Sequence, residues 1–313
     1  MREQGIALVA ALWLTVMLTV IASGFAFSMH SEALSARNAL SVAQARAAAD
    51  GAVERVAFEL GRPRISPDVW LPDGQVRTWT DGDATITVSA VDEAARIDLN
   101  VATEPLLKGL LSNIGGLDDA AAQALAEKIE DWRDPDDLTR PNGAEANEYA
   151  AAGRTYVPPN GPFTTVGELQ RVLTMTPALA ARLADDLTVY SRQPGINLAT
   201  APREVLLAIP GTTPEQIDAF IAQRTDAVAN KLPIPLLPPA QAFASAAAPV
   251  WRIRAEAALP DGVTFVRDAV LRPSSDPQRP VIALLWQEGA RLPASAPAAG
   301  ASAAPDQYGT GKR

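Results

Sequence analysis

The feature that most constrains this chain is an uncharged apolar run close to its N-terminus. No residue from Ile6 to Met29 is charged, and apolar side chains would cover every face of a helix formed there. About 20 such residues span a bilayer, and a helix that is apolar all round is stable in lipid. Arg2 precedes the run, so we expect the N-terminus to stay cytoplasmic and the remainder to be exported.

Three interpretations of this run compete. A cleaved secretory signal has an apolar core of only about 7 to 15 residues, so the run is too long for one. An ordinary uncleaved signal anchor fits the composition. The third interpretation depends on Gly5, a small residue between a polar leader and the run. Arg2-Glu3-Gln4-Gly5 followed by Ile6 resembles a type IV prepilin leader, and the resemblance implies cleavage between Gly5 and Ile6 and methylation of the new N-terminus.

One position departs from the prepilin pattern. Most members of that family carry a glutamate at the fifth mature residue, which here is Ala10. A carboxylate in lipid is costly unless it is paired, and in that family it pairs with the N-terminal amine of a neighbouring subunit. A subunit without this glutamate suits the tip of a filament, where no subunit lies ahead of it.

Composition excludes several classes of function. The chain has no cysteine and one histidine, His30, so disulfide frameworks, cysteine-ligated metals and most Ser–His or Cys–His catalysis are ruled out or disfavoured. The formal net charge of −9 argues against general electrostatic capture of nucleic acid. We therefore expect a protein that is not an enzyme.

The pattern beyond the apolar run predicts an α+β fold in which one long helix packs on an antiparallel sheet. Helix-favouring sequence continues to Leu60, and Gly61-Arg62-Pro63 ends it. Alternating apolar and polar residues predict strands at 76–80 and 84–91, and again at 250–258, 263–271 and 281–286. The segments expected are a leader (1–5), a transmembrane part (6–29) and an amphipathic part (30–60) of the helix, first strands (61–95), an inserted helical domain (96–230), a linker (231–249), the remaining strands (250–289) and a disordered tail (290–313).

A repeat lies within the inserted helical domain. Residues 96–102 resemble residues 195–201, and each copy is followed by a helical stretch, a glycine-containing turn and a second helical stretch. Such pairs resemble helix-hairpin-helix elements, which in other families bind phosphate backbones through turn amides. A membrane-anchored DNA-binding protein is therefore the alternative function, although the acidic balance disfavours it.

An acidic stretch suggests a cation site. Asp134, Asp136 and Glu145 have the spacing of positions 1, 3 and 12 of an EF-hand, but Leu138 and Thr139 break that pattern. Dense carboxylates on a Pro- and Gly-containing turn fit either a calcium site or a solvated acidic loop paired with nearby arginines. Catalysis by paired carboxylates has little support, because no aromatic-lined sugar cleft is evident around them.

Taken in order, these motifs resemble the minor pseudopilin K family of type II secretion systems. The resemblance includes the leader without its usual glutamate, Ile97-Asp98-Leu99-Asn100, the acidic stretch from Asp131, and the Pro159–Phe163 turn. It implies a pilin-like helix and sheet with a large helical insertion, held in the bacterial inner membrane by one span with the globular part in the periplasm. It also implies calcium, and by matching motif its ligands are Asp131, Asp134, Asp136 and Glu145.

The same resemblance implies a structural role and a set of partners. The function expected is to cap the tip of the periplasmic pseudopilus and support protein export. The partners expected are two other minor pseudopilins in a tip heterotrimer, an inner-membrane assembly platform and the prepilin peptidase.

Overall fold

A computed structural model describes residues 3–62, 70–247 and 249–290, and the side chains from residue 8 onward. The longest element is helix α1 (Glu3–Gly61). Every residue from 8 to 40 on this helix is exposed, whereas Ser41 begins a half with one buried face. That face consists mainly of small residues, which allow the helix to lie close against the sheet: Ala45, Ala49, Ala52, Val53, Val56 and Ala57.

The sheet has five antiparallel strands in the order β1-β2-β5-β6-β7. They are β1 (Arg77–Asp81), β2 (Ala84–Asp92), β5 (Trp251–Ala258), β6 (Thr264–Pro273) and β7 (Val281–Glu288). Each strand lies within one or two residues of its predicted position, and the predicted fold class is confirmed. The chain leaves the sheet after Asp92 and returns at Trp251, and these two residues are paired neighbours in the sheet.

The residues between β2 and β5 form a mainly helical region with its own apolar core. Its helices are α2 (Glu104–Asn113), α3 (Asp119–Arg133), α4 (Ala146–Ala151), α5 (Pro177–Leu183), α6 (Arg203–Leu207) and α7 (Pro214–Ala229). Two short parallel strands, β3 (Ile97–Asp98) and β4 (Leu187–Thr188), pair the start of this region with its middle. Its largest fully buried side chains include Trp132 and Tyr149.

The segment 231–249, expected to be a linker, packs against the helical region over part of its length. Residues Pro238–Phe243 form a 3-10 helix, and Leu237 and Ala240 are buried in the helical core. Ala244 forms a parallel bridge with Ile196. The apolar residues between the prolines explain this contact, because they bury surface that a purely polar linker would leave in water.

Buried polar contacts join the sheet to the helical region. The Asn197 amide donates to Asp92 at 2.8 Å, and Arg252 donates to Glu93 at 2.7 Å. Glu93 has no exposed surface and also accepts a hydrogen bond from Thr188. A buried charge is tolerated only when it is paired, so these contacts hold the sheet and the helical region in one relative arrangement.

The two resembling segments have matching local structure. We call residues 96–133 the first copy and residues 195–229 the second copy. In the first copy the Asp98 carboxylate accepts from the Asn100 amide at 2.9 Å, and in the second the Asn197 side chain accepts from the Ala199 amide at 3.1 Å. Each side chain thereby holds the turn that precedes its first helix.

The last helix of each copy carries an arginine whose side chain donates to the turn before the first helix of that copy. Arg133 of α3 donates to the carbonyl oxygens of Leu99 and Ala102, at 2.5 and 2.7 Å. Arg224 of α7 donates to the carbonyl oxygens of Leu198 and Ala201, both at 2.8 Å. The four accepting residues occupy equivalent positions in the two sequences.

Candidate functional sites: the acidic loop and the outer face of the N-terminal helix

The acidic loop (residues 134–145) connects α3 to α4 and is anchored at both ends by buried aromatic rings. Trp132, at the end of α3, stacks on Phe163 with ring centroids 5.9 Å apart. Tyr149, on α4, lies 6.0 Å from the same tryptophan. Because these rings are packed in the core, the positions where the loop leaves and re-enters the helices are fixed.

Asp131 is fully buried at the start of this region, and both of its carboxylate oxygens accept hydrogen bonds from the protein. Oδ1 accepts from the Arg140 guanidinium at 2.6 Å. Oδ2 accepts from the backbone amides of Ala144 and Arg140, at 2.9 and 3.3 Å. Asp131 therefore holds the two ends of the loop together and has less capacity for a metal than the sequence suggests.

Three other oxygens around the loop are buried without a hydrogen-bond partner. They are Asp134 Oδ1, Glu145 Oε1 and Asn160 Oδ1. Glu145 is only 4% exposed, and Asp134 uses its other oxygen to accept from Arg140 at 2.5 Å. The Asn160 amide nitrogen donates to the Asp136 carbonyl and to the Asp137 carboxylate. Unpaired buried acceptors are costly, and a bound cation would satisfy them.

The electrostatics of the loop also favour a cation. Burial, followed by the charges of Asp131, Asp134, Asp137 and Asp136, raises the pKa of Glu145 to about 7. A carboxyl group with such a pKa is only partly ionised at neutral pH, and a nearby divalent ion would restore its charge.

Asp136, the remaining predicted ligand, is exposed and accepts a hydrogen bond from the Leu138 amide through Oδ1. Within the described part of the chain, no three histidine, aspartate or glutamate side chains form a ready-made metal cluster. A cation site on this loop would therefore have to combine carboxylate oxygens with an amide oxygen, such as Asn160 Oδ1. Asn160 has no local sequence signal for a ligand, although it lies in the Pro159–Phe163 turn that carries part of the family resemblance.

The turns of the two helical copies are not suited to binding phosphate. The amides of Gly115 and Gly116 donate to backbone carbonyls within the first copy. Asp118 caps the next helix through the Ala121 amide at 2.8 Å, and Asp119 follows it. In the second copy Glu215 lies in the first turn of α7. Carboxylates at these helix starts would repel a nucleic-acid backbone, so the alternative DNA-binding function is not supported.

The outer face of α1, opposite the sheet, carries a narrow apolar stripe that is exposed along its whole length. We call Met29, Ala33, Leu40, Ala47, Gly51 and Phe58 the outer stripe. Their spacings of four and seven residues place them on one line of the helix, with Leu40 and Phe58 five turns apart. Leu40 is 59% exposed and Phe58 is 69% exposed. An amphipathic helix that packs on a single sheet would carry polar residues here.

A crevice lies beside the outer stripe, between α1 and β1. It has a volume of about 220 Å³ and is lined by Gly51, Arg55 and Trp79 among others. The Arg55 guanidinium lies over the Trp79 ring, 4.5 Å from its centroid. The crevice is also lined by Thr80 and Asp81, so a group that enters it meets polar as well as apolar side chains.

The N-terminal half of α1 is long and apolar enough to cross a membrane. A helical stretch from Leu8 to Gly61 meets the length and composition criteria for a span, and its most apolar part is not buried in the protein. The predicted leader begins outside the described residues, and Gly5 and Ile6 are described only as helical backbone.

A long N-terminal helix with an exposed apolar half, packed on an antiparallel sheet, defines a pilin-like fold, and the described residues contain one candidate membrane anchor. Residues 87–192 match the family model of type II secretion system protein K. The type II secretion system protein K of Klebsiella pneumoniae is 28% identical over 230 residues, which cover 66% of this chain and 70% of that protein. The family model, this relative and the pilin-like fold together support a minor pseudopilin K of a type II secretion system.

A solved structure has a similar fold. The match is to the complex of GspK, GspI and GspJ from the type II secretion system of enterotoxigenic Escherichia coli, with a TM-score of 0.57 and 19% sequence identity. It covers 82% of this chain and 99% of the matched chain. This likeness agrees with the long helix, the sheet and the additional helices described above.

Proposed function

We propose that this minor pseudopilin caps the tip of a periplasmic pseudopilus and assembles there with two other minor pseudopilins. The observation that carries the proposal is the outer stripe, because exposed apolar surface on a helix that is already packed on one side calls for a second partner. The stripe continues into the apolar part of α1, so one continuous line serves both in the membrane and outside it. A structural role, rather than catalysis, follows from this arrangement.

The charges beside the outer stripe support packing against a similar helix. At about 100° per residue, Arg37 and Arg55 lie along one side of the stripe, and Glu32 and Glu54 lie along the other. All four residues are exposed. A partner helix with the same polarity would bring its acidic side against the basic side of this one, as flanking charges do in coiled coils.

The position of the helical insertion supports a place at the tip. Ser41, which follows the exposed stretch 8–40 of α1, donates to Asp261 in the turn between β5 and β6 at 2.6 Å. The insertion leaves and re-enters at Asp92 and Trp251, at the other end of the same strands. It is thus attached at the end of the sheet farthest from that turn, where it would block the addition of another subunit.

A charge introduced into the outer stripe tests the proposed assembly. We expect Phe58→Glu in the full chain to reduce by at least tenfold the amount of the other minor pseudopilins that co-purify from detergent-solubilised membranes. Leu236→Glu is the matched control, because Leu236 is 77% exposed and belongs to the segment between α7 and β5 rather than to α1. Equal recovery of the partners with both variants would contradict the proposal.

We further propose that the acidic loop binds calcium through Asp134, Asp136, Glu145 and Asn160, while Asp131 holds the loop ends. The unpaired buried oxygens support this set, since calcium takes six to eight oxygen ligands and accepts amide oxygens. A bound ion would neutralise the carboxylates and fix the loop. Glu145→Gln should abolish calcium binding measured by isothermal titration calorimetry. Glu256→Gln, on β5, should leave it unchanged, and calcium binding by the Glu145 variant would overturn the assignment.

We also propose that the chain is cleaved and held in the membrane as its prepilin-like leader implies. A membrane peptidase would cut between Gly5 and Ile6, α1 would be held in the inner membrane, and an assembly platform there would extract it. Intact-mass analysis of the protein from its native membrane should give a chain that begins at methylated Ile6. A chain that still begins at Met1 would contradict this proposal.

A further inference from the structure

Arg140, in the acidic loop, contacts three carboxylates: two in the last turn of α3 and one in the residue that follows it. Its guanidinium lies 2.6 Å from Asp131 Oδ1, 2.5 Å from Asp134 Oδ2 and 3.0 Å from Glu130 Oε2. Although partial burial acts in the opposite direction, the hydrogen bonds to Asp134 and Asp131 raise the pKa of Arg140 above its ordinary value. The group is therefore a permanent positive charge within the loop.

These contacts divide the carboxylate oxygens into two sets. Asp131 and the Oδ2 atom of Asp134 face protein donors, whereas the Oδ1 atom of Asp134 and the Oε1 atom of Glu145 are buried without a partner. Glu145 is more than nine-tenths buried and senses the charge of Asp134. A planar guanidinium that holds one oxygen of a carboxylate fixes the direction of the other.

We propose that Arg140 is a positioning residue for the cation site. It holds Asp134 so that a single oxygen, Oδ1, faces the ion together with Glu145, and it closes the loop onto α3 before the ion arrives. This inference rests on the calcium proposal. It gives a role at the cation site to a residue whose charge is opposite to that of the carboxylate ligands.

Two effects of Arg140 on cation affinity have opposite signs, and this makes the inference testable. If Arg140 acted only as a fixed positive charge, it would repel the ion, and its removal would strengthen binding. If it preorganises the ligands, its removal forces the ion to order the loop itself, which weakens binding. The sign of the change in affinity therefore separates the two roles.

The test uses the full chain in detergent, with calcium and magnesium titrated by calorimetry. We expect Arg140→Met to weaken calcium binding by at least tenfold and to reduce the preference for calcium over magnesium, because a loose cage no longer selects by size. Arg140→Lys keeps the charge but loses the planar fork, and we expect an intermediate loss of about threefold to tenfold. Arg154→Met is the matched control: this exposed arginine follows α4, and its loss should leave the affinity unchanged.

Each possible outcome supports or overturns the positioning role of Arg140. Calcium binding by the wild type that becomes equal or tighter in Arg140→Met would overturn the positioning role and leave the calcium site standing. Absence of calcium binding by the wild type would overturn both. If Arg140→Met fails to fold, as judged by circular dichroism, Arg140→Lys carries the test, and an unchanged affinity for that variant would overturn the positioning role.

Discussion

The first and second copies of the helical region share a framework but differ in the loop that follows it. In both, a side chain of the turn and an arginine from the last helix hold the chain before the first helix. After Arg133 the first copy continues into the acidic loop, whereas after α7 the second continues into an apolar, proline-containing segment in which Leu232 and Leu236 are exposed. The comparison indicates that the contacts shared by the two copies support the fold. Any binding site depends instead on the loop that follows each copy.

The largest effect is expected where the two copies touch. A Cβ atom added to Gly109 of α2 would lie 1.9 Å from the carbonyl oxygen of Ala208, at the end of α6. Gly109→Ala should therefore lower the free energy of unfolding by about 3 kcal/mol or more, because backbone must move. Gly51→Ala, where a Cβ meets nothing within 4 Å, should raise it by about 0.5 to 1 kcal/mol. Chemical denaturation measures both, and equal effects would show that the copies are not in tight contact.

The arginines test whether the two frameworks are equivalent. Arg133→Met and Arg224→Met should each lower the free energy of unfolding by about 1 to 3 kcal/mol, since each leaves two turn carbonyls without their donor. Only Arg133→Met should also weaken calcium binding, because the acidic loop begins at the next residue. Weaker calcium binding by the Arg224 variant would mean that the loop depends on both copies.

Asp186 lies between the copies and makes stability depend on pH. Burial, followed by the charges of Glu204 in the second copy and of Asp185, raises its pKa to about 6, while Arg96 of the first copy opposes the shift. A carboxyl whose pKa is raised on folding stabilises the fold at low pH, and that contribution is lost as the pH rises through about 6. At pH 8, Asp186→Asn should be about 1 to 3 kcal/mol more stable than the wild type. The difference in free energy of unfolding between the two proteins should disappear below about pH 4. A difference that does not change with pH would contradict the assignment.

The smallest effect is expected in the apolar segment that follows the second copy. Leu236 is 77% exposed, so Leu236→Ser should change the free energy of unfolding by less than about 0.5 kcal/mol. The neighbouring Leu237 is buried, and Leu237→Ser should cost about 2 kcal/mol or more. Thermal unfolding of the pair checks this, and a large loss for Leu236→Ser would show that this segment is packed more closely than its exposure indicates.

The elements of the fold were predictable because each has a local signal. The uncharged run and the alanines of α1 predict one continuous helix, and the alternation in β2 predicts its buried face. The acidic loop was recognised from the density of its carboxylates, but the sequence could not say which oxygens would be free. That depends on Arg140, which takes Asp131 and one oxygen of Asp134, and on Asn160, which a separate turn brings to the loop. Both are contacts between segments, and no local pattern encodes them.

The most direct test of the account is to map which face of α1 meets a partner in the membrane. The chain has no cysteine, so a cysteine placed at residue 40, 47, 51 or 58 is unique and can carry a short cysteine-to-amine crosslinker. We expect crosslinks to the N-terminal helix of another minor pseudopilin from these four positions, and none from residue 46 or 50 on the side of α1. Equal crosslinking from all six positions, or none from the outer stripe, would contradict it.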